Sequence, residues 1–161
     1  MANKIQNFDT GEKDNSNIIH LDLDPKINIE NKIYFKNLLK KIAECSLDNL
    51  EENLENLYHV DAEFNGFHPI NEIKGIEEIK NKYLIPLKKA FPDLERRNNL
   101  VIGGAFRDKV FVSFISHLTG TFKNEWLGVK PTNKTIYLRT CEAHQILSLI
   151  HISEPTRLAW I

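Results

Sequence analysis

Apolar residues recur at helical spacing through the first half of this chain and at every second position through the second half. The change of period falls near Arg97 and organises the reading. From Glu30 to Glu44 the apolar positions Ile33, Leu38 and Ile42, with Phe35 and Leu39 beside them, predict one helix with a single buried stripe. Ser46 or Asp48 then caps a second helix whose apolar face is Leu47, Leu50, Leu54 and Leu57. The short link makes the two a hairpin. Ala62 to Ile70, with Phe64, Phe67, Gly66 and Pro69, predicts a strand that breaks early. A third helix runs from about Ile76 to Ala90 and stops at Pro92-Asp93, with Pro86 removing a backbone donor inside it and bending it. Period two then predicts strands at Leu100–Gly103, Val110–Phe122 and Ile136–Ile146, with a turn at Asp108 and a loop over 128–133. Helices followed by long antiparallel strands define an α+β plan, the helices covering one face of a curved sheet.

Composition narrows the function. The net charge of −1 supplies no basic field for nucleic acid or anionic lipid, so neither is an expected partner. No apolar leader and no run of membrane-spanning length is present, which makes a cytoplasmic domain the expectation. The two cysteines, Cys45 and Cys141, form no metal or disulfide spacing. Residues 1–29 are polar, with only Ile18-Ile19 and the alternating run His20–Asp24 to offset their ordering entropy, and read as a mobile arm. The domain proper is expected over 30–146.

Several stretches carry a resemblance. They are Phe67–Gly75, Pro86–Arg97 with its Ala-Phe-Pro-Asp-Leu element, His117–Phe122, Trp126–Thr132 and Leu138–Ile146. Over residues 31–146 the chain resembles the SnoaL-like polyketide cyclases of the nuclear transport factor 2-like superfamily. The resemblance implies a cone-shaped α+β barrel around an apolar pocket for a small apolar or aromatic ligand, no cofactor, and a homodimer through the open side of the sheet. It also implies a further strand with an acid, and a closing helix, beyond Ile146. Instead, Leu147–Arg157 resembles the translation of a transposon-derived sequencing adapter, so 147–161 is read as a non-native tail and the last strand and helix as missing. The edge of Ile136–Ile146 would then lie unpaired.

Alternation in the last readable strand puts Leu138, Thr140, Glu142, His144 and Ile146 on one face and Tyr137, Arg139, Cys141, Ala143 and Gln145 on the other. Glu142 and His144 can therefore meet one ligand, with reference pKa values of about 4.3 and about 6.5 that suit divided acid and base roles. His144 also matches the position of an active-site histidine in the resembled family. His117 adds a second imidazole if the face of Phe111, Ser113 and Ile115 points inward. The competing reading is a satisfied pair, Glu142 bonded to Arg139 or backbone and the histidines packed on the sheet. Phe64, Phe67 and Trp126 are expected as apolar walls, with His68 at the rim and Phe122 beside the loop. Arg96 and Arg97 follow a turn and are expected to face solvent, and His59 suits the end of its helix. His59, His68, His117 and His144 show no metal-ligand spacing, and Cys141 alternates away from any base that would activate it. Two functions remain: a cofactor-independent cyclase or isomerase working by acid–base chemistry next to a carbonyl, and a non-catalytic binding or dimerising module with the same pocket.

Overall fold

The structure is a computed structural model that describes residues 23–106, 109–146 and 157–160. The bulk of the arm, the turn at Asp108 and most of the tail lie outside the described residues. Helix α1, Pro25–Glu44, begins five residues before the expected Glu30, within the stretch read as an arm. The signals for that earlier start are local: Asp24 accepts a hydrogen bond from the Lys26 N–H at 2.7 Å, and Pro25 has no N–H to leave unsatisfied. The buried stripe of α1 is Phe35, Leu39 and Ile42, at spacings of four and three, whereas Ile33 is exposed. Ile33 sits two residues from Phe35, about 200° around the helix, and so on its far side.

Helix α2, Leu50–Glu55, is shorter than expected and starts without a side-chain cap; Leu50, Leu54 and Leu57 are buried while Leu47 is exposed. The strand expected over 62–70 is only β1, Glu63–Asn65, which turns back to pair antiparallel with β2, Glu72–Lys74. Residues 76–90 are helical throughout, as α3, Ile76–Ile79, a π-helical turn, Lys80–Leu84, and α4, Ile85–Ala90. Pro86 cannot donate to the preceding turn, and the accommodation taken is this widening just before it.

Three long strands follow: β3, Glu95–Phe106, β4, Lys109–Thr121, and β5, Thr135–Ile146. They pair antiparallel in chain order, and β3 carries a bulge between Asn98 and Leu100. β3 therefore starts five residues earlier than period two suggested, which brings Arg96 into the sheet. A last strand, β6, Arg157–Trp160, lies between β5 and β1, antiparallel to β5 over Glu142–His144 and parallel to β1. These four residues belong to the stretch read as a tail, so the β5 edge expected to be unpaired has a partner over three residues. The sheet order is β2-β1-β6-β5-β4-β3. It is bent and open, not a closed barrel, with β2 and β3 as its edges. Helix α1 lies across β3, and the core forms between the helices and the inward residues of β4 and β5. Full burial of Leu54, Phe64, Ile79, Val112 and Phe114 contributes about 1.5–3 kcal/mol each. Among the described residues no helix is long and apolar enough to cross a membrane.

Candidate functional site

Strand alternation sends Val112, Phe114, Ser116 and Leu118 of β4 inward, with Thr140, Glu142 and His144 of β5 and Arg96 of β3. Register then aligns a polar row across the apolar face: Asn98 pairs with Ser116, and Ser116 with Thr140. Arg96 and Glu142 reach across this row to each other. The Arg96 Nη1–H donates to Glu142 Oε1 at 2.8 Å, Nη2–H to Ser116 Oγ at 3.0 Å, and Nε–H to Asn98 Oδ1 at 2.9 Å. Ser116 O–H in turn donates to Asn98 Oδ1 at 2.8 Å. Thr140 O–H donates to Glu142 Oε1 at 2.8 Å. Both charged side chains are within 4% of full burial. The guanidinium also lies over the Phe114 ring, 5.5 Å from its centre.

His144 continues the chain of contacts. Its Nε2 lies 3.3 Å from Glu142 Oε2 and its Nδ1 lies 3.4 Å from the Tyr58 hydroxyl. The ring is fully buried among Phe35, Tyr58 and Phe114. Burial pushes the His144 pKa below its ordinary value; the bond to Glu142 opposes this and does not overcome it. A neutral imidazole satisfies both contacts in one way: Nε2–H donates to Glu142, and Nδ1 accepts from Tyr58 O–H. Burial alone would raise the pKa of Glu142, but the His144 hydrogen bond and the Arg96 charge outweigh it and hold the carboxyl at about 2. Tyr58 and Tyr83 are both pushed upward, chiefly by burial and next by the Glu142 charge, so each phenol is a donor.

Two hollows meet these groups. An inner chamber of about 50 Å³ is walled by apolar residues including Leu39, Phe64, Ile79 and Leu118, with Tyr58, Tyr83, Arg96, Glu142 and Lys88 as its polar members. A groove of about 480 Å³ runs beside the β5 segment 137–141 and is bordered by Phe67, Trp126, Tyr137 and Arg139. Tyr83, Leu87 and Leu118 line both, so they form the partition between them.

The structure brings Glu142 and His144 together, as alternation required, but only Glu142 borders the chamber; His144 stands behind it. Phe64 lines the chamber, and Phe67 and Trp126 line the groove edge to face, 6.2 Å between ring centres. Phe122 is buried under the loop, stacked on Phe91 at 5.1 Å. His68 is exposed in the turn after β1 and borders neither hollow. His117 points to the opposite face of the sheet, where its Nδ1 meets Asn99 Oδ1 at 2.6 Å, because it is out of phase with Ser116 and Leu118. Glu142 is paired with Arg96 and not with Arg139, which lies on the other face. Arg96, expected in solvent, and Tyr58, the neighbour of His59, are site members that sequence reasoning missed, as are Tyr83 and Lys88 of the chamber. Alternation counted back from Asn98 marks Arg96 as inward; no sequence signal marks Tyr58.

Comparison with solved structures places the fold. The chain matches a candidate SnoaL-like polyketide cyclase from Jannaschia Sp. CCS1 at 18% identity and a TM-score of 0.56, covering 88% of this chain and 90% of that one. It matches AclR, a candidate hydroxylase from Streptomyces galilaeus, at 18% identity and a TM-score of 0.61, over 83% and 75% of the two chains. A nuclear transport factor 2-like superfamily protein from Salmonella enterica matches at 12% identity and 0.61, over 84% and 90%. No sequence-family model matches, and no curated protein sequence is matched significantly. The chain thus has the fold shared by SnoaL-like polyketide cyclases and nuclear transport factor 2-like proteins.

Proposed function

We propose that this protein binds a small apolar ligand bearing a carbonyl group and moves a proton next to that carbonyl, as a cofactor-independent cyclase or isomerase does. The observation that carries the reading is the continuous chain Tyr58–His144–Glu142–Arg96, whose Tyr58 and Glu142 border an apolar chamber. In this reading the ligand's ring lies in the aromatic groove and its reacting end enters the chamber. The groove alone has a volume within the roughly 300–1,000 Å³ of small-molecule sites, and the chamber alone does not. Glu142, desolvated and ionised, takes the proton. The Tyr58 O–H turns from His144 Nδ1 to the carbonyl oxygen and stabilises the charge that develops there. His144 touches no ligand; it positions the other two. Trp126 Nε1–H, which has no acceptor among the described residues, offers a further donor to the ligand.

One observation favours a second reading, non-catalytic binding. A carboxyl held at about 2 is a weak base, and Arg96 with Glu142 is also a satisfied buried pair. The two separate on hydrogen–deuterium exchange at the carbon next to the carbonyl of an aryl ketone, followed by NMR in D₂O. Proton transfer predicts exchange above background that falls by about 10²-fold or more in Glu142→Gln. Ketone binding with background exchange in the unaltered protein would leave only the binding module. Homodimerisation belongs to the same proposal and is supported by the outer sheet face, where Leu100, Ile102, Phe106 and Tyr137 are all exposed.

A further inference from the structure

Lys88, like Tyr83, is a polar member of the chamber that the proposed proton transfer leaves unused. Its side chain extends from α4 beneath the C-terminal end of α1 and is only 8% exposed. Its Nζ donates to two backbone carbonyls, Ala43 and Cys45, both at 2.8 Å. Ala43 also lines the chamber. Among the described residues no carboxylate lies within ion-pair distance of this amine; the nearby Glu44 pairs with Lys40 at 3.1 Å.

A buried lysine usually has a carboxylate partner, because an isolated ammonium loses several kcal/mol of hydration. The two carbonyl acceptors leave one position on Nζ unbonded, which in the neutral amine is the lone pair. We infer that Lys88 is an imine-forming amine for small aldehydes that enter the inner chamber. The inference shares with the proposed function the premise that the chamber admits a small carbonyl compound. The lone pair of Nζ attacks the carbonyl carbon, and the carbonyl π pair moves to oxygen, which takes up a proton. The carbinolamine then loses water as its C–O bond breaks and nitrogen gives up a proton. One amine and one aldehyde become one imine and one water, and no oxidant is consumed. The Tyr58 O–H in the same chamber, turned away from His144 Nδ1, is a donor for the departing oxygen.

The charged and titratable groups facing this amine are Cys45 and Glu44 at the end of α1, and across the chamber Tyr58, Tyr83, Arg96 and Glu142. Burial lowers the affinity of Lys88 for a proton, while the neighbouring Cys45 and Glu44 partly offset that.

The test uses the full chain with acetaldehyde and cyanoborohydride at pH 7, which reduces an imine to a stable ethylamine, followed by peptide mass spectrometry. Lys88 should be ethylated faster than the exposed Lys40, Lys74 and Lys82. Lys88→Arg, which keeps donors for both carbonyls and forms no imine, should remove that fast site. Labelling of Lys88 at or below the rate of the exposed lysines in the unaltered protein overturns the inference, whether or not the variant folds. The ketone exchange assay has no imine readout. Loss of fast labelling with exchange retained therefore overturns this inference alone, and fast labelling without exchange overturns the proton-transfer reading alone.

Discussion

Arg96 and Glu142 lie 46 positions apart, on strands separated by β4, and their side chains meet at 2.8 Å across Ser116 with almost no exposure to solvent. The pair is not isolated: Asn98 and Ser116 accept from the other two guanidinium nitrogens, and Thr140 and His144 contact the two oxygens of Glu142. That bonding decides its energetics. Two desolvated charges gain little over a well-packed apolar pair, but either one alone is costly.

Arg96→Met should therefore destabilise the protein by about 3–5 kcal/mol, leaving the Glu142 carboxylate buried beside neutral groups. Arg96→Met combined with Glu142→Leu should recover most of that loss. Urea unfolding of the two single variants and the double variant measures the cycle, and a double variant as unstable as the sum of the singles would contradict it.

Acid should weaken the fold in two stages. His144 has a depressed folded pKa, so its contribution is complete above the unfolded value of 6.5 and declines as pH falls below it. Glu142 is also depressed, so its contribution is complete above 4.5 and is lost as pH falls toward about 2. Both signs agree: stability drops on the acid side only. Melting temperature against pH should show the second decline in the unaltered protein and a much smaller one in Glu142→Gln.

The long elements were legible because period alone specifies them: β4 and β5 lie within one residue of the ends read from alternation, and Glu142 and His144 share a face as alternation requires. The short elements were not. β2 has three residues, too few for a period, and β3 hides its first five because the bulge after Asn98 resets the phase that Leu100–Gly103 displays. Arg96 was lost with those residues, and a surface role was the natural default for an arginine after a Pro-Asp turn. Tyr58 enters the site from a helix end through packing against His144, a contact with a separation of 86 positions that no local pattern encodes. His117 differs from Ser116 by one residue, and one residue in a strand is the difference between the two faces.

Gly103 should resist even a methyl group. A Cβ there would sit 2.1 Å from Asn28 Oδ1, and the same asparagine donates from Nδ2 to the Gly103 carbonyl at 2.9 Å, fixing α1 on β3. Gly103→Ala displaces Asn28, breaks that bond and should cost about 1–3 kcal/mol. Chemical denaturation measures it, and Asn28→Ala in the same background should add little if the two effects are one.

The outer face of the sheet should control association. Ile102 is 57% exposed beside Leu100, so a charge there leaves the inner core untouched. Ile102→Lys should shift a dimer to monomer in sedimentation equilibrium while the melting temperature of the monomer stays close to its former value. A mass that is monomeric before and after the substitution would remove the homodimer from the proposal.

Tyr58→Phe separates catalysis from packing at the deepest point of the site. The phenyl ring keeps the stacking on His144, 6.1 Å between ring centres, and loses only the hydroxyl. With no donor at Nδ1, the fold should lose about 1 kcal/mol, the ordinary value of one hydrogen bond. If the hydroxyl stabilises charge on a ligand oxygen, the exchange rate should fall by about 10²-fold or more with ketone affinity little changed. A drop in affinity with no drop in rate would make Tyr58 a binding contact. Unchanged rate and affinity, with only the stability loss, would confine it to holding His144 in place, and the donor for the carbonyl oxygen would then have to be sought at Tyr83, the other phenol of the chamber.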